Sequence, residues 1–343
     1  MADTERNFCV RYVRQPTGSV GSSNFRLCSE PLAECKDGEV LIRVAYLSLD
    51  PYQRRQMMPD INYAQPLKVG DVMVGRGVGR VIQTRHDDFN VGDWVKGHLG
   101  WQRYVSLPGM EVEKIEVDDF PPSIFLGALG SPGITAWVGL REVAEVSTGE
   151  TVVISAATGA VGSVAATLAR VSGCRVVGIA GGKRKCDYAV SRLGYDACVD
   201  YTRPDFREAL AAATPSGVDV DFENVGGHIF DCVLERLNDF ARVALCGLIS
   251  QYNLTEPGGL YNIDKVLNRN ATISGFRVTN YIDRYANALA ELKGLVRGGR
   301  IPHVETIIKG LDKAPEAFVN LFQGAHLGKL IVQVDESIVQ NKS

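Results

Sequence analysis

The 343-residue sequence lacks the features that mark membrane, secreted or nucleic-acid-binding proteins. No apolar run approaches the roughly 20 residues that a membrane-spanning helix needs. The N-terminal stretch MADTERNFCVRYVRQPTG is polar and has no apolar core of the kind found in signal peptides. With 37 basic and 40 acidic residues the formal net charge is −3, so no basic field favours a nucleic acid. We therefore expect neither a nucleic-acid partner nor a membrane partner.

Spacings typical of disulfide frameworks and metal sites are also missing. The eight cysteines are scattered and no two form a C-x-x-C pair, which argues against a disulfide framework or a zinc ribbon. A catalytic metal needs three or four Cys, His or carboxylate ligands. None of the five histidines stands in a His-Glu pair or at ligand spacing from a cysteine. We expect no metal, reduced thiols and a cytoplasmic location.

A strand, a glycine turn, a helix and a second strand follow one another in residues 151–180. The apolar, β-branched run TVVIS at residues 151–155 predicts a buried parallel strand. Residues 156–162 (AATGAVG) form the turn, residues 163–171 have a helical pattern, and residues 175–180 (RVVGIA) predict the second strand. Such a βαβ unit places a helix N-terminus against the pyrophosphate of a dinucleotide. The alternative is an α/β domain that binds no nucleotide.

The glycine pattern departs from the dinucleotide fingerprint at one position. G-x-G-x-x-G requires glycine at position 157, where the sequence has Ala157. Gly159 and Gly162 fit the positions for close approach to the pyrophosphate and for helix packing. Gly-x-x-Gly alone is a weak signal of dinucleotide binding, because glycines also mark ordinary turns. The flanking strands and helix make the signal strong.

Residues 181–185 (GGKRK), after the second strand, indicate which dinucleotide is bound. A site for NAD has an acid about 20 residues beyond the glycines to accept hydrogen bonds from the ribose hydroxyls. This chain has no acid there before Asp187. Lysine and arginine attract a 2′-phosphate that a carboxylate would repel, so the sequence predicts NADPH rather than NADH. The alternative is a solvated basic turn.

The rest of the chain divides into two kinds of pattern, as its length leads us to expect. Residues 1 to about 125 contain short strands and glycine turns, with predicted strands at residues 39–47 and 74–82, a turn entering a strand at 90–95 and a further run at 101–105, which suggests a β-barrel-like domain. From residue 151 strands and helices alternate, which predicts a doubly wound parallel sheet. The predicted strand at 329–334 closes either the first domain or this sheet.

The second half of the chain contains further predicted helices and strands. Residues 126–143 predict a helix interrupted at 130–133, and the other predicted helices are at residues 204–213, 229–237, 284–296 and 314–322. The remaining predicted strands are at residues 196–199, 218–222, 241–246 and 271–276.

Four segments should meet beyond the carboxyl ends of the strands, where open α/β sheets bind their ligands. They are residues 158–162, 224–227, 246–250 and 275–278. We expect Phe276 and Ile249 to wall the nicotinamide. Cys246 is interpreted as a small buried residue, because a thiol nucleophile needs a positive neighbour that the sequence does not show.

Taken together, the motifs resemble those of the zinc-independent medium-chain dehydrogenase/reductase superfamily. More narrowly, they resemble the NADPH-dependent alkenal, prostaglandin and curcumin double-bond reductases. The matching segments span almost the whole chain: residues 47–54 (LSLDPYQR), 75–79 (GRGVG), 97–101 (GHLGW), 131–136 (SPGITA), 156–162 (AATGAVG), 222–227 (FENVGG), 246–253 (CGLISQYN) and 324–329 (GAHLGK).

This resemblance implies a fold, an assembly and a set of site residues. It implies a GroES-like β-barrel domain (residues 1–127 and 311–343), a Rossmann domain (residues 128–310) and a homodimer. It implies that Lys185 and Tyr201 hold the 2′-phosphate, that Asn224 and Tyr252 contact the cofactor, and that Tyr52 faces the substrate. The full set expected to bind NADPH or NADP+ is Thr135, Thr158, Gly159, Ala160, Val161, Gly162, Gly181, Lys185, Tyr201, Asn224, Cys246, Gly247, Ile249, Ser250, Tyr252, Phe276, Val278, His326 and Gly328.

The chain departs from the family pattern at two positions near the expected site. His326 stands where the family often has asparagine, and Asn268 where some members have a tyrosine. These departures leave the proton donor open between Tyr52, Tyr252, Tyr261 and water, and Tyr261 is equally an aromatic lid.

The expected reaction is hydride transfer from NADPH to the β-carbon of an α,β-unsaturated ketone or aldehyde, followed by protonation of the enolate. Three alternatives remain open. They are quinone reduction by the same fold, a non-catalytic NADPH-binding sensor, and a zinc alcohol dehydrogenase, which would contain metal when purified.

Overall fold

The structure is a computed structural model that describes residues 6–59, 66–117, 120–256 and 258–338. Along the chain it divides into two compact units, Met1–Leu126 with Glu305–Ser343, and Gly127–Val304. Among the described residues, every helix falls short of the length and apolar character needed to cross a membrane.

The N-terminal part of the first unit is built mainly from strands. Its elements are β1 (Arg6–Tyr12), β2 (Phe25–Pro31), β3 (Glu39–Ser48), α1 (Tyr52–Gln56), β4 (Gly77–Thr84), β5 (Trp94–Gly97), β6 (Tyr104–Pro108) and β7 (Val112–Lys114). Single turns of 3₁₀ helix occur at Ser22–Asn24, Gly109–Glu111 and Pro122–Leu126.

The second unit alternates strands and helices. Its elements are α2 (Ser131–Val138), β8 (Thr151–Ser155), α3 (Ala160–Val171), β9 (Arg175–Ala180), α4 (Lys183–Leu193), β10 (Ala197–Asp200), α5 (Phe206–Ala213), β11 (Val218–Glu223), α6 (Gly227–Leu234), β12 (Leu237–Leu245), α7 (Asp264–Asn268), β13 (Thr272–Gly275) and α8 (Tyr285–Arg297). A π-helical turn covers Gly139–Val143, and 3₁₀ turns cover Ile249–Gln251 and Val278–Arg284.

The C-terminal elements return to the first unit. They are β14 (Glu305–Lys309), the 3₁₀ turn Leu311–Lys313, α9 (Ala314–Leu321) and β15 (Lys329–Gln333). β14 pairs in parallel with β15, and β15 pairs antiparallel with β3. The C-terminal strand therefore completes the first unit and not the parallel sheet.

Strand β3 is the centre of the first unit's seven-stranded sheet. The sheet has the order β14-β15-β3-β4-β5-β7, with β6 also paired to β3, while β1 and β2 form a separate antiparallel pair. Gly79 of β4 sits where a Cβ would overlap the carbonyl oxygen of Arg43, so glycine permits the bend there. The core includes Trp101, whose ring stacks on Phe25 at 5.4 Å and meets Phe318 edge-on at 5.4 Å.

The second unit contains a six-stranded parallel sheet in the order β10-β9-β8-β11-β12-β13. Chain order reverses between β8 and β11, which is the switch point where such sheets bind ligands. The core on one face includes Val153, Val177 and Val243 from the strands and Phe230 and Val233 from α6. This is the doubly wound arrangement that the alternating pattern predicts.

Three predicted elements need correction. The helix predicted at residues 229–237 ends at Leu234, because Leu237 instead begins β12 and pairs with Val218. The strand predicted at 241–246 starts earlier and ends at Leu245, since the N–H groups of Cys246 and Gly247 both turn to the carbonyl oxygen of Glu223. Residues 130–133 do not interrupt a helix, because α2 begins at Ser131 with Pro132 in its first turn, where a missing N–H costs little.

The unit boundary also differs from the expected one. The sequence places it at residue 311, whereas the second unit ends at Val304. The difference is β14, whose five residues pair with β15 and so belong to the first unit.

Candidate active site

The turn after β8 holds α3 close to the end of the strand. Ala156 has a φ of 50°, and Gly159 caps the helix with its N–H bonded to the carbonyl oxygen of Ala156. A Cβ at Gly162 would lie 2.6 Å from that same oxygen, so only glycine fits there. Thr158 is buried beside them. With Ala160 and Val161 opening α3, the turn has the helix N-terminus that the sequence predicts for a pyrophosphate.

The missing fingerprint glycine has a structural explanation. Ala157 is fully buried, and a Cβ built at Gly178 of β9 would lie 2.8 Å from its methyl group. The small residue needed at this contact is therefore on the neighbouring strand. Tyr195, which no sequence motif marks, has its hydroxyl 3.1 Å from the Ala157 carbonyl oxygen and 2.9 Å from that of Gly162.

The segment after β9 is a basic turn anchored by an acid from β10. Gly182, with a φ of 85°, donates its N–H to Asp200 at 2.7 Å. Although burial opposes its ionisation, this bond and those from Thr202 hold the pKa of Asp200 below its usual value. The Tyr201 ring lies against Gly181, where a Cβ would be 3.0 Å from the Tyr201 oxygen.

Lys185 lies partly buried in the first turn of α4. Burial, and then the charge of Arg184, lowers the pKa of its amine. Among the residues that the structure describes, no carboxylate forms an ion pair with this amine. A partly buried cation beside a second cation fits an incoming phosphate.

Glu223, the last residue of β11, organises the next turn. Its Oε1 accepts the N–H of Val225, the N–H of Gly226 at 2.6 Å and the hydroxyl of Ser155 at 3.0 Å. Ser155, at the end of β8, in turn accepts the N–H of Asn224 at 2.7 Å. The Asn224 amide donates to the Ser155 carbonyl oxygen at 2.8 Å. The ends of the two central strands are thus joined through one carboxyl group.

Glu223 and Asp221 form a buried pair of acids on one face of β11. Both are fully buried. Burial raises the pKa of Glu223 to about 7, and burial together with the Glu223 charge raises that of Asp221 well above its usual value. Oε2 of Glu223 accepts no hydrogen bond within the described part of the chain. A proton on Oε2 is therefore compatible with all three bonds to Oε1.

The segment after β12 packs against the Asn224 turn. Ile249 donates its N–H to the Asn224 carbonyl oxygen at 3.1 Å, and the Ser250 hydroxyl donates to that of Val225 at 2.6 Å. The Tyr252 hydroxyl accepts the N–H of Leu248 at 3.2 Å and lies beside Gly247. The structure therefore brings the second and third predicted segments together at the carboxyl edge of the sheet.

Cys246 and Phe276 complete this edge. Burial, and then the Glu223 charge, raises the pKa of the Cys246 thiol to about 12, which agrees with a packing role and not with a nucleophile. The Phe276 ring contacts Phe222 edge-on at 6.3 Å, and its N–H bonds to the Leu245 carbonyl oxygen. Val278 follows at the start of a 3₁₀ turn.

The other predicted residues belong to other elements of the two units. Thr135 is on α2, which packs against α3. The Tyr261 side chain is 90% exposed, and its backbone N–H bonds to Asp231. His326 and Gly328 belong to the first unit, in the segment before β15.

The first unit carries its own polar cluster around Tyr52. Lys329 donates to the carbonyl oxygen of Leu49 at 2.7 Å and to Asp50 at 2.9 Å. Burial opposes the ionisation of Asp50, but Lys329 and Ser48 hold its pKa below the usual value. The Arg76 guanidinium lies 5.8 Å from the centre of the Tyr52 ring. In the described residues, no group of three or more His, Cys, Asp or Glu could hold a metal ion.

Known proteins match this chain over nearly its full length. Residues 9–115 match the model of the N-terminal domain of oxidoreductase, and residues 160–294 match the model named zinc-binding dehydrogenase. The NADPH-dependent curcumin reductase of Escherichia coli is 41% identical over 93% of this chain and 94% of its own length. Rat prostaglandin reductase 1 is 38% identical over 91% of this chain and 94% of its own length. The structure of CurA from Vibrio vulnificus in complex with NADPH has a TM-score of 0.92 at 39% identity, covering 97% of this chain and all of that one.

The parallel sheet with its glycine turn, and the separate mixed sheet, define a medium-chain dehydrogenase/reductase, with a Rossmann domain and a GroES-like domain. Within that superfamily the chain belongs to the zinc-independent double-bond reductase family, as the curcumin, prostaglandin and 2-alkenal reductases among its relatives show.

Replacing Glu223 tests whether its carboxyl group positions the Asn224 turn. Glu223→Ala removes the acceptor of three hydrogen bonds, so we expect the Kd for NADPH, the cofactor that the sequence predicts, to rise about tenfold. Glu223→Gln keeps an oxygen at Oε1 and should stay within about threefold of the parent Kd. Fluorescence titration gives both values, and circular dichroism checks that each variant is folded. Equal weakening by alanine and glutamine would contradict this role.

Proposed function

We propose that this protein reduces the C=C bond of α,β-unsaturated ketones or aldehydes with NADPH. Three relatives support the assignment by name: an NADPH-dependent curcumin reductase, a tobacco 2-alkenal reductase (NADP(+)-dependent) and prostaglandin reductase 1, at 38–41% identity over 86–93% of this chain. The reaction adds a hydride to the β-carbon and a proton to the α-carbon of the enolate.

The basic turn after β9 is the observation that supports NADPH most directly. Where an NAD site would carry an acid, this chain has Gly181, which leaves room beneath the Tyr201 ring. Lys185 lies nearby as a partly buried cation. The one carboxylate of the turn, Asp200, has its Oδ1 engaged by Gly182 and Thr202 and is held away from the role of a ribose acceptor.

The carboxyl edge of the sheet supplies the groups that would position the rest of the cofactor. The N-terminus of α3 offers N–H groups for the pyrophosphate. We propose that Asn224 contacts the nicotinamide end, because its amide is fixed by Ser155, and that Ile249 and Phe276 form apolar walls there. The bound cofactor would supply the hydride.

The protein's own task in the reaction is to polarise the carbonyl and stabilise the enolate oxygen. A tyrosine hydroxyl, with an ordinary pKa of about 10, is a neutral donor at pH 7 and suits this task. Tyr252 is the candidate in the second unit, because its hydroxyl is held at the sheet edge beside Gly247. Tyr52 is the candidate in the first unit, where the Arg76 charge lies near its ring. The 90% exposure of Tyr261 gives that residue no comparable support.

Isotope labelling gives the sharpest test of the reaction. With NADPH carrying deuterium at the transferred position, 2-alkenals and simple enones should yield saturated carbonyl compounds labelled at the β-carbon. Mass spectrometry and NMR of the product locate the label. Saturated ketones of the same length serve as controls and should not react. Label at the carbinol carbon, turnover of p-quinones alone, or binding of NADPH without turnover would each contradict the proposal.

Lys185→Ala tests the phosphate site. Loss of the cation should raise the KM for NADPH about tenfold and leave the KM for NADH unchanged, because NADH has no 2′-phosphate. Lys183→Ala is the matched control: the Lys183 side chain is 87% exposed, its amine pairs with Asp187, and it should be dispensable. An equal effect of the two substitutions, or an equal effect on both cofactors, would exclude a specific phosphate contact by Lys185.

We further propose that the protein is a cytoplasmic homodimer. The family resemblance supports the dimer, and β13 is an edge strand of the parallel sheet that can pair with a second copy. Leu267, just before this strand, is 80% exposed, as an interface residue would be in the single chain. Sedimentation equilibrium should give twice the chain mass, and cell fractionation should recover the protein with cytoplasmic markers. A monomer at micromolar concentration would exclude a stable dimer.

A further inference from the structure

The ends of four neighbouring strands bring polar side chains together at one end of the first unit's sheet. Gly77 of β4 pairs with Leu47 of β3 on one side and with Gly97 of β5 on the other. Because both pairings are antiparallel, the residue before Gly77 lies between the residues that follow Leu47 and Gly97. β15 begins beside β3 at the same end, since Ile331 pairs with Ser48. The strand ends therefore carry a polar row, which in strand order is Lys329, Ser48 with Asp50, Arg76 and His98.

The backbone of Arg76 is held on both sides. Its carbonyl oxygen accepts the N–H of Ser48 at 2.9 Å. A Cβ at Gly75 would lie 2.9 Å from the Trp101 ring, and one at Gly77 would lie 3.0 Å from the Leu99 side chain. Such close packing leaves the chain little room to shift, so the Arg76 side chain extends from a fixed point.

The charges on either side of Arg76 are neutralised within the polar row. The Lys329 side chain is 3% exposed, and its amine donates to Asp50 at 2.9 Å. Asp50 also accepts the hydroxyl of Ser48. Desolvation, and then the Arg76 charge, lowers the pKa of His98, so its imidazole is neutral at pH 7. The row is left with the charge of Arg76.

The Arg76 guanidinium is partly exposed and lies 5.8 Å from the centre of the Tyr52 ring. Within the part of the chain that the structure describes, it forms no ion pair and donates no hydrogen bond. Two other acids stand near this end of the sheet, Glu111 just before β7 and Glu305 at the start of β14. They are two and three strands from β4, about 10 Å or more at the usual strand spacing. A guanidinium has five donors and no acceptor, so this one fits an anion supplied by a ligand.

The size of this charge favours a carboxylate over a phosphate. One guanidinium forms two parallel hydrogen bonds with a planar carboxylate, and the two charges cancel. A phosphate group carries a charge of about −1.5 to −2 at pH 7 and would need a second cation. The nearest amine in the polar row is that of Lys329, which Asp50 already engages.

We propose that Arg76 binds a carboxylate of the substrate, so that the preferred substrates of this protein are enones and enals that also carry an acid group. Tyr52, the candidate carbonyl donor of the first unit, lies beside the guanidinium, and one small molecule would reach both. The connection to the enone rests on the proposed function, whereas binding of a carboxylate by Arg76 does not.

Two substrates that differ only in charge test this preference. The first is a propenyl ketone with a propionate chain on its carbonyl carbon, and the second is its methyl ester. The parent protein should have a kcat/KM about tenfold higher for the acid, chiefly through KM, because the contact is remote from the reacting carbons. Arg76→Gln should bring the ratio of acid to ester to about one, and Arg76→Lys should keep part of it, since lysine keeps the charge without the fork.

Arg80→Gln is the matched control. Arg80 stands on the same strand, donates to the Gly92 carbonyl oxygen at 3.2 Å and lies over the Trp94 ring. Because its guanidinium has these partners within the protein, its loss should leave the ratio of acid to ester as in the parent. Circular dichroism checks that each variant is folded.

Binding of levulinate, a saturated keto acid with the same propionate chain, gives a readout that needs no turnover. NMR titration of the full-length protein with NADP+ present should give a Kd about tenfold lower for levulinate than for methyl levulinate. In Arg76→Gln the two Kd values should be equal.

Equal kcat/KM for acid and ester in the parent, a preference that survives Arg76→Gln, or its equal loss in Arg80→Gln would overturn the proposal. A uniform loss of turnover in Arg76→Gln with the ratio unchanged would assign Arg76 to the reaction itself and would also overturn carboxylate binding. If no enone is reduced but levulinate binds through Arg76, the proposed function and the substrate class fail while the carboxylate site stands. If enones are reduced without discrimination, the carboxylate site fails alone.

Discussion

One carboxyl oxygen holds together the ends of the two central strands, at the edge where doubly wound sheets bind their ligands. Oε1 of Glu223 collects two backbone N–H groups from its own turn and the hydroxyl of Ser155 from the neighbouring strand. The carbonyl oxygens freed by this turn then accept from Ile249 and Ser250 of the following segment. Because buried polar groups are costly when unpaired, removing this oxygen would leave several donors without partners at once.

Close packing of backbone imposes a second constraint at the same edge. The turn after β8 needs a residue without a side chain at Gly162, and the strand beside it needs one at Gly178, opposite Ala157. The fingerprint therefore reflects how much side-chain volume fits between the turn and the neighbouring strand, and not the residue at any one position. Tyr195 stabilises this packing, because its hydroxyl donates to carbonyl oxygens on both sides of the turn.

The parallel sheet was well predicted from the sequence, because alternation and β-branched runs directly report burial in strands and helices. Predictions from the sequence were wrong where pairing with another strand determines the local structure. Leu237 continues the apolar spacing of α6, but pairing with Val218 makes it strand. β14 has only five residues, and its strand structure depends on β15. At the site, the predicted topology indicated which segments converge. The hydrogen bonds of Glu223, Ser155 and Tyr195 depend on side-chain directions, which residue spacing in the sequence does not give. An acid immediately before Asn-Val-Gly-Gly was the available signal for Glu223.

Different interactions organise the two ends of the proposed cofactor site. At the phosphate end, a cation destabilised by burial and by a neighbouring cation would gain most when an anion arrives, so we expect selectivity there to depend on the position of one amine. At the sheet edge, neutral or singly charged acceptors fix backbone turns and change little when a ligand binds. A shift of α4 should therefore alter the choice between NADPH and NADH with little effect on the chemistry, while a change at Glu223 should affect both cofactors alike. That separation makes the packing of α4 against β10 a place where the affinity for the cofactor can be adjusted without rebuilding the carboxyl edge of the sheet.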